Sequence, residues 1–239
     1  MSGLPSWARG NISGGCGGRA LDLLPRSGYN SIILMGKRVL CLKELLLKIR
    51  ALLSRFMADG KAEPLAAAAA VALNLLEEGD LFAGGSTVRP VPNETAAISA
   101  ANPMLAAGAA CALQRKNEGG VVVAPAEVSE TLDDAIRLAV ALSLPLVLLV
   151  SCPAASLDEL SSRVMAADME CIPADGRSVM KLMPALRLAV DKAREGDGPT
   201  LIECVSDQPL DDDDTPADPL ERLNSVLILE GYAMPEELI

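Results

Sequence analysis

Between Gly119 and Val205, short apolar runs alternate with amphipathic stretches, and this alternation leaves the chain few folds to choose from. Val121–Ala124, Leu144–Ser151, Glu170–Pro173 and Thr200–Val205 read as strands. Leu144–Ser151 is apolar almost throughout, the pattern of a strand covered on both faces. Thr131–Leu142, Leu157–Asp168 and Ser178–Glu195 read as the intervening helices. Asp133 and Asp134 sit in the first turn of one, where negative charge is favoured. Ser156 with Glu159 three positions on reads as a capping box for the next. Gly196 closes the last. Strands that alternate with helices build parallel βαβ units. The expected fold is therefore α/β: a doubly wound, mostly parallel sheet flanked by helices.

Upstream, Leu40–Met57 carries apolar residues at helical spacing, with Lys43, Glu44, Lys48 and Arg50 on the other side. Asp59–Gly60 marks its end. Pro64 opens a second helix, Leu65–Glu78, which Gly79–Asp80 terminates. Ala83–Asn93, with Gly84, Gly85, Pro90 and Pro92, reads as a loop. Thr95–Gln114 is helical again, interrupted near Asn102–Pro103. Residues 1–34 are rich in Gly and Ser and are expected to be a disordered leader, with Met35 as a candidate start of translation. Residues 35–206 are expected to form one domain, and residues 207–239 an acidic loop and a last helix, Pro219–Leu229.

Hydrophobic residues make up 50% of the chain but aromatics only 2%, so the core must be built from Ala, Leu and Val. Little is left for stacking on bases. The net charge of −11 argues against nucleic acid and anionic membrane as partners. The most apolar run, Leu138–Cys152, is too short for a membrane span and contains Pro145. No apolar stretch of signal-peptide type follows Arg9 or Arg19. There is no histidine, which removes the commonest proton-transfer side chain near neutral pH and the commonest metal ligand. Six cysteines without a C-x-x-C pair read as reduced, mostly buried thiols of a cytoplasmic protein. The run Asp211–Asp214 lacks the spaced ligands of a calcium loop and reads as a solvated turn.

Several segments together carry a family likeness. Pro103–Ala110 (PMLAAGAA), Val121–Val123, Asp133–Ala139, Leu144–Val150 and the closing run Gly196–Glu203 (GDGPTLIE) stand in the order found in one family. The chain resembles the alpha subunit of thiamine-diphosphate-dependent 2-oxo acid dehydrogenases over about half its length. The resemblance implies a thiamine-diphosphate-binding fold. In that family a Gly-Asp-Gly motif after the central strand and an Asn-rich segment after the next strand hold a magnesium ion, which bridges the cofactor diphosphate. Here those positions read Ala124-Pro125-Ala126-Glu127-Val128 and Ser151-Cys152-Pro153-Ala154, and no histidine stands near them. The stretch from Leu81 to Asn102 is also short for the family's substrate-channel segment. The triplet Gly196-Asp197-Gly198 lies between a helix and the final strand, away from the metal position.

The expectation is therefore a degenerate relative of the alpha subunit, without catalytic, cofactor-binding or metal residues, acting as a scaffold or subunit partner. Its implied partners are a second copy of itself or a dehydrogenase beta-type subunit. The alternative is a divergent but active subunit that uses thiamine diphosphate and magnesium and passes an acyl group to lipoamide. A third reading is a small-molecule site at the strand ends, through Glu127, Ser129, Ser151 and Cys152. Glu127 as a metal ligand and Cys152 as a nucleophile are the sharpest forms of these. Glu127 has no flanking glycine and Cys152 has no histidine base, so an exposed glutamate and a structural thiol are the plainer assignments.

Overall fold

The computed structural model describes residues 32–35, 38–58, 65–91, 99–116, 119–207 and 218–238. Ile32–Met35 (β1) and Arg38–Cys41 (β2) pair as an antiparallel hairpin. The sequence reading placed the end of a leader and the start of a helix there. The helix begins instead at Leu42 (α1, Leu42–Ala58). Residues 1–31 and the four-aspartate run fall outside the described residues.

Six strands make the main sheet: β3 (Leu81–Gly84), β4 (Thr87–Pro90), β5 (Val122–Ala126), β6 (Leu146–Cys152), β7 (Glu170–Asp175) and β8 (Thr200–Val205). Their order is β4-β3-β5-β6-β8-β7. Only β4 runs antiparallel to its neighbour. The protein is thus α/β, with a mostly parallel sheet flanked by helices.

The β3–β4 hairpin corrects the loop expected over Ala83–Asn93. Gly84 and Gly85 there serve a tight hairpin: Gly85 takes φ of 58°, and the Thr87 hydroxyl donates to the Gly84 carbonyl. A positive φ at the first residue of a two-residue turn suits the strand twist, and glycine adopts it without strain. Pro90 is tolerated because β4 is an edge strand.

Helices cover both faces. On one lie α3 (Pro103–Lys116), α4 (Glu130–Ala141) and α5 (Leu157–Ala166), packed on Val122, Ala124, Leu146, Leu148, Val150 and Leu201. On the other lie α1, α2 (Ala66–Leu75), α6 (Val179–Glu195) and α7 (Pro219–Leu229), packed on Val123, Val147, Leu149, Ile202 and Cys204. Alternation along each strand sends neighbours to opposite faces. α2 is buried from Ala66 through Ala72, and its small side chains let α1 and α6 approach closely. Among the described residues no helix is long and apolar enough to cross a membrane.

Two local expectations fail for identifiable reasons. The helical stretch expected from Thr95 has no helix over residues 99–102. Ala101 N–H donates instead to the Pro125 carbonyl at 2.7 Å. α3 opens at Pro103, and the Asn102 side chain accepts from Met104 N–H at 2.9 Å. Ser156 caps nothing with its side chain. A single 3₁₀ turn, Ala154–Ser156, precedes α5, and Asp207 takes the Ala154 N–H at 2.7 Å.

Candidate functional site

β5 and β6 run side by side from the pair Val122↔Leu146 to the pair Ala126↔Val150, so their carboxyl ends are neighbours. β6 feeds α5 on one face, whereas the chain after β8 leads to α7 on the other. Ligand crevices of open α/β sheets form where adjacent strands send their connections to opposite faces. A cleft of about 390 Å³ lies beside that point.

The cleft is assembled from five parts of the chain. Ala126 ends β5, and Glu127 and Val128 follow it. Ser151, Cys152 and Pro153 end β6. Ser156, Glu159, Leu160 and Arg163 come from the entry and first turns of α5. Leu65, at the start of α2, and Ala100 complete the wall.

Three of the four residues expected at the strand ends, Glu127, Ser151 and Cys152, meet in this cleft. Ser129 does not line it. Its hydroxyl caps α4, accepting from Leu132 N–H at 3.3 Å. Sequence reasoning missed Arg163, whose Nη2 reaches both carboxylate oxygens of Asp133, at 2.8 and 2.7 Å. That fork ties α5 to α4 beside the cleft. No motif announces it, because the pair is formed across 30 positions.

Cys152 is 1% exposed. Burial, then the negative charges of Glu203 and Asp207, push its thiol up to about 11. It therefore stays protonated near neutral pH and is a weak nucleophile. Cys171 is pushed up to about 12 by burial and by Glu203, against a lowering hydrogen bond from Ser161.

Glu203 sits in the middle of β8 and is wholly buried. Its Oε2 accepts from the Ser161 hydroxyl at 2.7 Å, while Oε1 has no partner among the described residues. The sequence did carry a signal for this group: one charge inside the otherwise uncharged strand Thr200–Val205. Among the described residues, no group of three His, Cys, Asp or Glu side chains is disposed to hold a metal ion.

Compared with protein-family models and with curated proteins, the chain matches none.

Proposed function

We propose that the chain is a cofactor-free relative of the 2-oxo acid dehydrogenase alpha subunit, built on a thiamine-diphosphate-binding fold and serving in the cytoplasm as a scaffold or subunit partner. One observation carries this reading: the donor set at the carboxyl ends of β5 and β6. Magnesium bridging a diphosphate asks for hard oxygen ligands in near-octahedral array. The cleft at these strand ends offers instead two carboxylates, Glu127 and Glu159, short of a three-ligand group among the described residues, and a thiol that stays protonated, Cys152. Soft thiol sulfur is a poor magnesium ligand. Pro125 precedes Ala126 where the family's glycines would let backbone approach phosphate. The residues do not fit the magnesium diphosphate.

The free state of Cys111, Cys152, Cys171 and Cys204 supports a reducing compartment. A scaffold role asks for a second polypeptide, either another copy of this chain or a beta-type subunit. Large apolar side chains in solvent, Leu229 at 84% and Met234 at 66% exposed, are available for such contacts.

The test is a thermal melt with and without thiamine diphosphate and magnesium, paired with light scattering of the chain alone and mixed with a beta-type subunit. A ligand that binds only the native state raises the midpoint. The expected result is an unchanged midpoint together with a mass above that of one chain. A magnesium-dependent rise would return the active-subunit reading, and a monomer indifferent to the beta-type subunit would remove the scaffold role.

A further inference from the structure

The cleft at the ends of β5 and β6 is electrostatically one-sided. Glu127 and Glu159 both line it and both are exposed, so their carboxylates are reachable from solvent. Among the described residues, the one cation of the lining, Arg163, is already committed. Its Nη2 reaches Asp133 Oδ1 and Oδ2 at 2.8 and 2.7 Å, a forked contact that offsets the guanidinium charge.

Glu203 does not line the cleft; wholly buried on β8, it accepts from Ser161 of α5 through Oε2, and Oε1 has no partner among the described residues. The first turn leading to α5 would ordinarily attract an anion through its free N–H groups. Here Asp207 already holds the Ala154 N–H at 2.7 Å and brings its own negative charge. Leu65, Val128 and Leu160 give the cleft apolar walls.

We propose that this cleft binds a small organic ammonium ion, a compact apolar body carrying an amino group. The apolar walls take the body, and Glu127 and Glu159 take the charge. The volume of about 390 Å³ falls within the usual range for small-ligand pockets. An anion meets uncompensated carboxylates on two sides. A bare metal ion finds no group of three ligating side chains among the described residues. The inference does not rest on the dehydrogenase kinship, because it uses only the charges and walls of this cleft.

Two probes of matched shape and opposite charge decide it. Cyclohexylammonium and cyclohexanecarboxylate are titrated into the full chain at constant ionic strength by calorimetry, with inorganic pyrophosphate as a third ligand. Cyclohexylammonium is expected to bind saturably and the two anions not to bind. The variant Glu127→Gln/Glu159→Gln keeps side-chain shape and should weaken the ammonium roughly fivefold or more, as expected for two partly exposed ion pairs. Asp133→Ala frees Arg163 and should weaken the ammonium further while admitting cyclohexanecarboxylate. Thermal melts establish that each variant is folded before it is scored. The proposal is overturned if the anions bind as well as the ammonium, if the double glutamine variant binds it unchanged, or if it shows no saturable binding. Failure of the scaffold reading would appear separately, in the light-scattering mass.

Discussion

Arg194, in the last turn of α6, donates to Asp80 Oδ2 at 2.6 Å, and Asp80 is 2% exposed. The same carboxylate accepts from Glu77 N–H at 2.8 Å and, through Oδ1, from Val121 N–H at 2.9 Å. One side chain thus fixes the turn before β3, the entry to β5 and the end of α6. Asp80→Ala strips a partner from a buried Val121 N–H and from Arg194 together. Loss of one member of such a buried set costs about 3–5 kcal/mol. Arg194→Met should cost less, about 1–3 kcal/mol, because Asp80 keeps both backbone donors. Urea unfolding of the two variants checks the order, and equal losses would contradict it.

Ser161 is the side chain that donates to Glu203 Oε2, at 2.7 Å. Ser161→Ala should leave the buried carboxyl without that donor, at a cost of about 1–3 kcal/mol. Replacing both, as Ser161→Ala/Glu203→Met, removes the polar group with its partner. Apolar replacement of a buried polar set is often neutral or stabilising. The double variant is therefore expected to be more stable than Ser161→Ala alone. A double-mutant cycle in urea measures this, and additive losses would show that the two residues do not act as a unit.

The glycines separate into opposite predictions. A Cβ on Gly120 would stand 2.6 Å from the Gly79 carbonyl oxygen, which is backbone and has no rotamer to yield. Gly120→Ala is expected to lower stability by about 1–3 kcal/mol through overpacking. A Cβ on Gly108, inside α3, would meet nothing within 4 Å. Gly108→Ala should raise stability by about 0.5–1 kcal/mol, the helix-interior difference between the two residues. Thermal melts of both variants test the pair, and a stabilising Gly120→Ala would show that the turn can shift.

The sheet was legible because burial on both faces writes itself into sequence. Leu144–Ser151 and Thr200–Val205 read directly as strands, and the last helix was expected over Pro219–Leu229, where it lies. The β3–β4 hairpin was not legible, because β4 is an exposed edge strand with almost no apolar alternation to read. The cap at Ser156 misled because motif spacing says nothing about a competitor such as Asp207, which arrives from 53 positions away. The cleft was half legible. Strand-end logic places Glu127, Ser151 and Cys152, but it does not reach the α5 wall or the fork between Arg163 and Asp133. Those depend on which helix packs beside which, and periodicity is silent on that.

The cysteines give the pH dependence a definite sign. Cys152 and Cys171 ordinarily titrate near 9.0 and are pushed up to about 11 and about 12 in the fold. Burial pushes Cys204 up as well. The folded state therefore favours the neutral thiol. Above the ordinary value the unfolded chain releases these protons first, so it binds fewer than the native state and stability falls as pH rises. The thiol contribution is fully present below about pH 9 and is lost progressively as pH rises through the folded values. The comparison of the parent with Cys152→Ala/Cys171→Ala isolates the thiol contribution. The difference in unfolding free energy should be flat up to about pH 8.5 and then shift steadily in favour of the double variant. Iodoacetamide labelling gives an independent reading. Near pH 8 a thiol raised by about two units carries roughly a hundredfold less thiolate than an unperturbed one, so native Cys152 should react far more slowly than the same residue in urea. Equal rates in the two states would mean that neither burial nor Glu203 holds the thiol protonated.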